Sequence, residues 1–93
     1  MSDEEAGYGL RVTDPAGRQL SKMSEGTAAA IVEFFVGALM DSPHRLGWPL
    51  QRELARMRSA RRGAYRIVYE IEETDRLAIV YRIEHRSTAY RLR

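Results

Sequence analysis

The sequence predicts an α+β fold in which an N-terminal helical hairpin packs on one face of a roughly four-stranded antiparallel sheet. Three observations predict it. Apolar residues recur at three- and four-residue spacing between about residues 25 and 40. Ala64–Glu72 and Leu77–Glu84 instead alternate apolar with polar residues and are rich in Ile, Val and Tyr. The polar stretch between them, Glu73–Arg76, suits a hairpin turn.

In chain order, residues 1–7 read as a disordered lead-in to a single domain spanning 1–93. Tyr8–Thr13 alternates and suits a short first strand. Asp14 before Pro15 resembles a helix cap followed by proline in the first turn, opening a short helix to about Met23. Ser24–Thr27 breaks it. The second helix runs from about Glu25 to Met40, with Ile31, Phe34, Phe35, Ala38 and Leu39 as its buried stripe. Gly37 costs about 1 kcal/mol relative to alanine in a helix and is expected to admit close packing of the first helix. Asp41–Pro43 ends the element. Pro43–Pro49 is a loop, with Trp48 expected to fold back onto the core and His44 to face solvent. Leu50–Ser59 is a poor, arginine-rich strand, and His85–Arg93 a tail in a short helix or edge strand.

Side chains alternate across a strand. Tyr65, Ile67, Tyr69 and Ile71 therefore share one face of their strand, and Leu77, Ile79, Tyr81 and Ile83 one face of theirs. The simplest register joins these sets under the helices. Arg66, Val68, Glu70, Ala78, Val80, Arg82, Glu84 and Arg86 then stand on the open face, and a one-residue slip would separate Arg66 from Arg86. Surface ion pairs of Arg66 and Arg82 with Glu70 and Glu84 are the plain structural alternative.

Composition narrows the function classes. With 44% hydrophobic and 30% charged residues the chain can fold as an ordinary globular domain. It has no cysteine, which excludes disulfides and thiolate metal sites, and His44 and His85 are its only imidazoles. No metal or other cofactor is expected. No apolar run reaches the roughly 20 residues of a membrane helix. The acidic start, MSDEEAG, lacks the features of a signal peptide. A cytoplasmic location and no membrane partner are expected.

Charge is divided along the chain. Residues 1–50 carry four basic groups against seven acids, while residues 51–93 carry eleven arginines against six. Five of those arginines (Arg56, Arg58, Arg61, Arg62 and Arg66) fall within eleven residues, around Gly63. Guanidinium groups match phosphate bidentately. Such a run points to a polyanionic partner, nucleic acid among them.

Three segments then carry a family likeness: Pro43–Leu50, Arg58–Tyr69 and His85–Arg91. The pattern Arg-x-Gly-x-Tyr-Arg-x-x-Tyr from Arg61 to Tyr69, followed by His-Arg-x-x-x-Tyr from His85 to Tyr90, resembles the RelE/ParE superfamily of type II toxins. The match is nearest to the RelE-like branch of actinobacterial type. The resemblance implies a RelE-like fold with a four-stranded antiparallel sheet. It implies a ribosome-dependent endoribonuclease that cleaves messenger RNA and blocks translation. It also implies a cognate RelB-like antitoxin, and a complex of the two able to bind operator DNA. By motif, Arg66, Arg86, Tyr90 and Arg61 are the implied catalytic residues. Arg56, Arg58, Arg62 and His85 are the expected RNA contacts. The chain departs from the family pattern at Ala64, where aspartate is frequent. It departs again at Gly47–Pro49, where Trp48 replaces lysine, and in lacking lysines on the preceding strand, where Arg56 and Arg58 stand in for their charge.

Metal-free RNA cleavage needs a base for the 2′-hydroxyl, cations for the pentavalent phosphate and an acid for the leaving 5′-oxygen. Arg66, Arg86 and Arg61 suit the middle task. Arginine does not exchange protons near neutral pH, which leaves Tyr90, His85 or Glu84 for proton transfer. His85 points away from Arg66 on the alternation. Tyr90 can exchange a proton, stack on a base or simply pack the tail. Two other functions fit the same fold: an attenuated toxin serving as an antitoxin-binding module, and a ParE-like inhibitor of DNA gyrase.

Overall fold

The computed structural model describes residues 7–51 and 56–87. The expectations for residues 1–6, for the segment 52–55 and for the tail beyond Ser87 lie outside those residues. The described elements are β1 (Gly9–Val12), α1 (Asp14–Ser21), α2 (Glu25–Phe34), a wider π-helical turn (Phe35–Leu39) and a 3₁₀ turn (Pro43–Arg45). After them come β2 (Trp48–Pro49), β3 (Met57–Arg62), β4 (Tyr65–Glu72) and β5 (Leu77–His85).

The fold class holds and the sheet differs in detail. It has five strands in the order β1-β5-β4-β3-β2, and β1 runs parallel to β5, with Gly9 opposite Leu77 and Val12 opposite Val80. The extra strand is β2, only two residues long, paired with β3. The parallel pairing follows from connectivity. A connection of two helices returns the chain to the end of the sheet it left, and three hairpin-type reversals then bring β5 back in the direction of β1. Pro49 has no N–H to donate, which confines such a residue to an edge, and β2 is at the edge.

Each helix is started by a side-chain oxygen. Thr13, extended at φ −68° and ψ 164°, accepts from the Ala16 N–H, so the cap of α1 lies one residue before the expected Asp14. Its hydroxyl donates to the Tyr81 carbonyl, which ties the helix start to β5. Ser24 accepts from the Thr27 N–H at the start of α2. Such caps are each worth about 1 kcal/mol.

Ile31, Phe35 and Leu39 are buried against Ile67 and Tyr69 of β4 and Ala78, Val80 and Ile83 of β5. Each fully buried side chain of this size contributes about 1.5–3 kcal/mol. Phe34 packs partly against the same core, whereas Ala38 is exposed. Gly37 is also exposed, and a Cβ there would meet nothing within 4 Å. The expected close helix contact is absent because residue 37 lies on the opposite side of the helix from Phe35 and Leu39.

The register of β4 and β5 corrects the expected faces. Arg66 pairs with Glu84, Ile67 with Ile83 and Val68 with Arg82. The ladder then shifts, and Tyr69 pairs with Val80, Glu70 with Ile79 and Ile71 with Ala78. Tyr81 is the residue passed over, so β5 carries a β-bulge there. One extra residue reverses the alternation beyond it. Ala78 and Val80 face the helices in place of Leu77 and Ile79, and the Tyr81 hydroxyl donates to Glu70 on the open face.

The loop before β2 is held from beneath. The buried Tyr69 hydroxyl lies 2.7 Å from the Pro43 carbonyl oxygen and 2.9 Å from that of Leu46, and donates to one at a time. Arg58 Nη2 donates to the His44 and Leu46 carbonyls, both at 3.0 Å. Gly47 then turns the chain at φ +62°, so close to β3 that a Cβ would lie 2.1 Å from the Ser59 carbonyl oxygen. Gly47→Ala is expected to cost about 1–3 kcal/mol through left-handed strain and displacement of the loop. Urea unfolding reads this directly; an unchanged midpoint would mean that the loop is not fixed against β3.

Candidate functional site

Register decides which side chains meet. Arg61 on β3 lies opposite Arg66 on β4, Ser59 lies opposite Val68, and Trp48 on β2 lies opposite Ser59. Opposed residues share a face of the sheet. Trp48, Ser59, Arg61 and Arg66 accordingly stand together on the face away from the helices. With Gly47 and Leu50 they line an open cleft of about 500 Å³.

Two arginines directly opposed across a ladder repel one another. One carboxylate offsets part of this. Arg66 Nε and Nη2 donate to Glu84 Oε1 at 3.2 and 2.9 Å, and Arg82 Nη2 lies 3.1 Å from Glu84 Oε2. Glu84 is only 8% exposed, whereas the Arg66 side chain is 45% exposed. One edge of the Arg66 guanidinium is thus fixed and its remaining donors face outward. Arg61 has no carboxylate partner among the described residues. Three guanidiniums against one carboxylate leave this patch positive.

The other expected contacts separate. Arg86 is exposed and follows the last residue of β5, its N–H donating to the Ala64 carbonyl, and it is not among the residues lining the cleft. Arg56 pairs with Glu70 at 2.9 Å, four residues along β4 from Arg66 and so roughly 13 Å away. Arg58 lies opposite Tyr69, on the helix side, and its guanidinium donates to loop carbonyls. Arg62 also turns to the helix side, beside Gly26, Thr27 and Ala30 of α2. His85 lies opposite Tyr65, edge-on to its ring at 5.1 Å, with Nδ1 2.8 Å from Ser87 Oγ. It points away from Arg66, as the alternation implies. Tyr90 lies outside the described residues.

The place of Trp48 in the cleft is what sequence reasoning missed. Trp48 does not return to the core; it is 78% exposed, the most exposed large hydrophobic residue described. The signal available was the following proline, which marks an edge strand. The Glu84 brace settles the plain ion-pair alternative: Arg66 and Arg82 both use Glu84, and Glu70 is taken by Arg56 and Tyr81.

Charged neighbours shift two groups on this face. Glu70 is held below the usual carboxylate range, chiefly by the Arg56 hydrogen bond and then by that of Tyr81. The Tyr81 hydroxyl is raised, first by donating to Glu70 and then by burial. On the helix side, burial raises the Tyr69 phenol and keeps it a proton donor to the loop.

The family model described as "ParE toxin of type II toxin-antitoxin system, parDE" matches residues 10–90. The toxin RelE of Mycobacterium tuberculosis is 44% identical over 92 residues, covering 99% of this chain and 94% of that protein. This chain belongs to the RelE/ParE superfamily of type II toxins. A second M. tuberculosis toxin, RelG, is 44% identical across 90% of this chain and 97% of its own length. The M. tuberculosis RelBE2 toxin–antitoxin complex contains a chain with 44% identity and a TM-score of 0.81, over 86% of this chain and 99% of that one. The Escherichia coli RelBE complex, at 17% identity and a TM-score of 0.67 over 84% of this chain and 95% of that one, shares the fold. Against this toxin fold, the family-pattern residues Arg61 and Arg66 fall in the cleft while Arg58, Arg62 and His85 fall on the other side of the sheet.

Two expectations follow from these contacts. Glu84→Gln is expected to lower stability by about 1–2 kcal/mol, an amount discounted because both arginines are about half-exposed. It should also loosen the Arg66 side chain, seen as averaging of its guanidinium NMR signals; a rigid Arg66 in the variant would dismiss the brace. The second concerns acid. Because Glu70 is lowered in the folded chain, the unfolded chain takes up its proton first as pH falls. Its contribution is complete above the ordinary carboxylate range and is lost as pH drops through the lowered value. Glu70→Gln should therefore flatten the acid limb of the stability–pH curve and leave its slope near neutrality unchanged.

Proposed function

We propose that this toxin is a metal-independent endoribonuclease that cuts messenger RNA on the ribosome, with Arg61 and Arg66 as the core of its phosphate site. The observation that carries this reading is the opposed Arg61–Arg66 pair in an open cleft. Such a pair is unfavourable by itself and is relieved when an anion binds between the two guanidiniums. The 44% identity to proteins named toxin RelE and toxin RelG supports the same reading.

In the proposed reaction the 2′-oxygen loses its proton and attacks the adjacent phosphorus, and the bond to the 5′-oxygen breaks. A 2′,3′-cyclic phosphate and a 5′-hydroxyl result. Arg61 and Arg66 hold the charge that builds on the phosphoryl oxygens, and Arg86 adds to the same field. Their guanidiniums cannot exchange the protons. Glu84 has both oxygens engaged by arginines, and His85 faces the helices. Proton transfer falls to Tyr90 and to groups supplied with the substrate. The ribosome fixes substrate geometry, so that proximity provides much of the rate, and cutting of free RNA is weak.

On this reading the toxin is cytoplasmic and is held inactive by a RelB-type antitoxin, and the two together bind operator DNA. The solved RelBE2 complex of M. tuberculosis, whose chain is 44% identical, supports an antitoxin partner. A second reading has one specific observation behind it: the matching family model is named for ParE toxins. In that case the chain binds DNA gyrase and performs no chemistry.

Expression of the chain alone in a bacterial host, with transcript ends and plasmid supercoiling mapped together, separates the readings. New 5′-hydroxyl ends inside translated codons are expected, with supercoiling unchanged. Arg66→Ala should remove at least about 100-fold of the cleavage, on the scale of losing one preorganised electrostatic donor, while antitoxin binding persists. Altered supercoiling with intact transcripts would replace the nuclease by the gyrase reading, and normal growth would leave only the antitoxin-binding module.

A further inference from the structure

We propose that Trp48 is a stacking platform for a nucleobase next to the phosphate held by Arg61 and Arg66. The inference rests on the nuclease reading and adds a base subsite to its phosphate site. It starts from an anomaly in burial. Trp48 is the only tryptophan in the chain, and the residue is 78% exposed. An indole in water forgoes the burial that large aromatic residues normally gain.

The exposure is built in. Tyr69 and Arg58 fix the loop from below through the Pro43, His44 and Leu46 carbonyls. Gly47 presses the backbone against Ser59, leaving no room for a side chain beneath. β2 is hydrogen-bonded to β3 with Trp48 opposite Ser59. With its base held in this way, the ring is directed to the open face, where it lines the same cleft as Arg61 and Arg66.

Geometry and chemistry both suit one nucleotide. From Trp48 to Arg66 the sheet advances two strand spacings and one two-residue step, roughly 12 Å between Cα atoms. An indole from one side and a guanidinium from the other narrow that span to the reach from a base to its own or a neighbouring phosphate. Aromatic faces beside cationic groups are how single-stranded nucleic acid is bound without reading its sequence. An acidic peptide would satisfy the arginines but leave the indole face without a planar partner.

The single tryptophan makes the test direct. The protein is titrated with a deoxyadenosine dinucleotide, which has two bases and one phosphate but no 2′-hydroxyl, at millimolar concentrations. Tryptophan fluorescence and the NMR signals of the Trp48 indole and the Arg61 and Arg66 guanidiniums are followed. Quenching and indole shifts that saturate together with the arginine shifts are expected. Deoxyribose 5-phosphate, which has no base, should move the arginines and leave Trp48 unchanged. By NMR, Trp48→Ala should weaken dinucleotide binding by about 5- to 100-fold, and Trp48→Phe should restore most of it. Because the ring is at the surface, both variants should melt near the parent temperature.

Arginine shifts with an untouched indole would overturn the stacking and leave the phosphate site standing. Silence at both would overturn the stacking and the phosphate site together. If Trp48→Ala weakened only antitoxin binding, with dinucleotide shifts unchanged, the ring would be an antitoxin contact and the inference would be wrong.

Discussion

The open face of this protein depends on one electrostatic arrangement: two guanidiniums opposed across β3 and β4, with a nearly buried carboxylate beneath one of them. Like charges at ladder positions destabilise a sheet. Glu84 limits that cost by pairing with Arg66 and Arg82 from below, offsetting part of their charge while leaving Arg66 half-exposed. Arg61 receives no such relief among the described residues. Fixing a cation on one edge and exposing its other edge is what preorganisation for a phosphate requires, since little reorganisation is left for the moment of binding.

The arginine-rich segment divides into unlike tasks because a strand alternates. Arg61 faces the cleft, whereas Arg58 and Arg62 face the helix side. Arg58 in particular is an anchor, with its donors spent on three loop carbonyls and the Tyr69 hydroxyl. Its fixed charge serves the loop that carries Trp48, so its influence on the cleft is exerted through backbone position. Substituting an anchor of this kind would alter the cleft through its shape, and substituting a cleft cation would alter it through its charge.

The bulge at Tyr81 links the core to the site. It lets the far half of β5 present Ala78 and Val80 to the helices. The near half keeps Ile83 inward and Glu84 outward. Without the extra residue, the two halves of β5 could not both match β4 as they do. Thr13, which caps α1 and donates to the Tyr81 carbonyl, holds the helix layer to this same point.

The sequence by itself determined the α+β class, the two helices, the β4–β5 hairpin, and that Ile67 and Ile83 face the helices while Arg66 and Glu84 face away from them. These follow from local periodicity, which the chain carries within a few residues. It also determined, through the Arg61–Tyr69 pattern, which family to expect. Tertiary structure decided the rest. A bulge has no local signature in Leu77–His85, so the facing of Ile79 and Tyr81 depended on pairing with β4. β2 is too short for periodicity to show, and its Trp48 faces outward only because Tyr69, Arg58 and Ser59, all distant in sequence, fix the loop behind it. Which arginines share a cleft was likewise a matter of register between strands, a non-local property set by where the core places each pair.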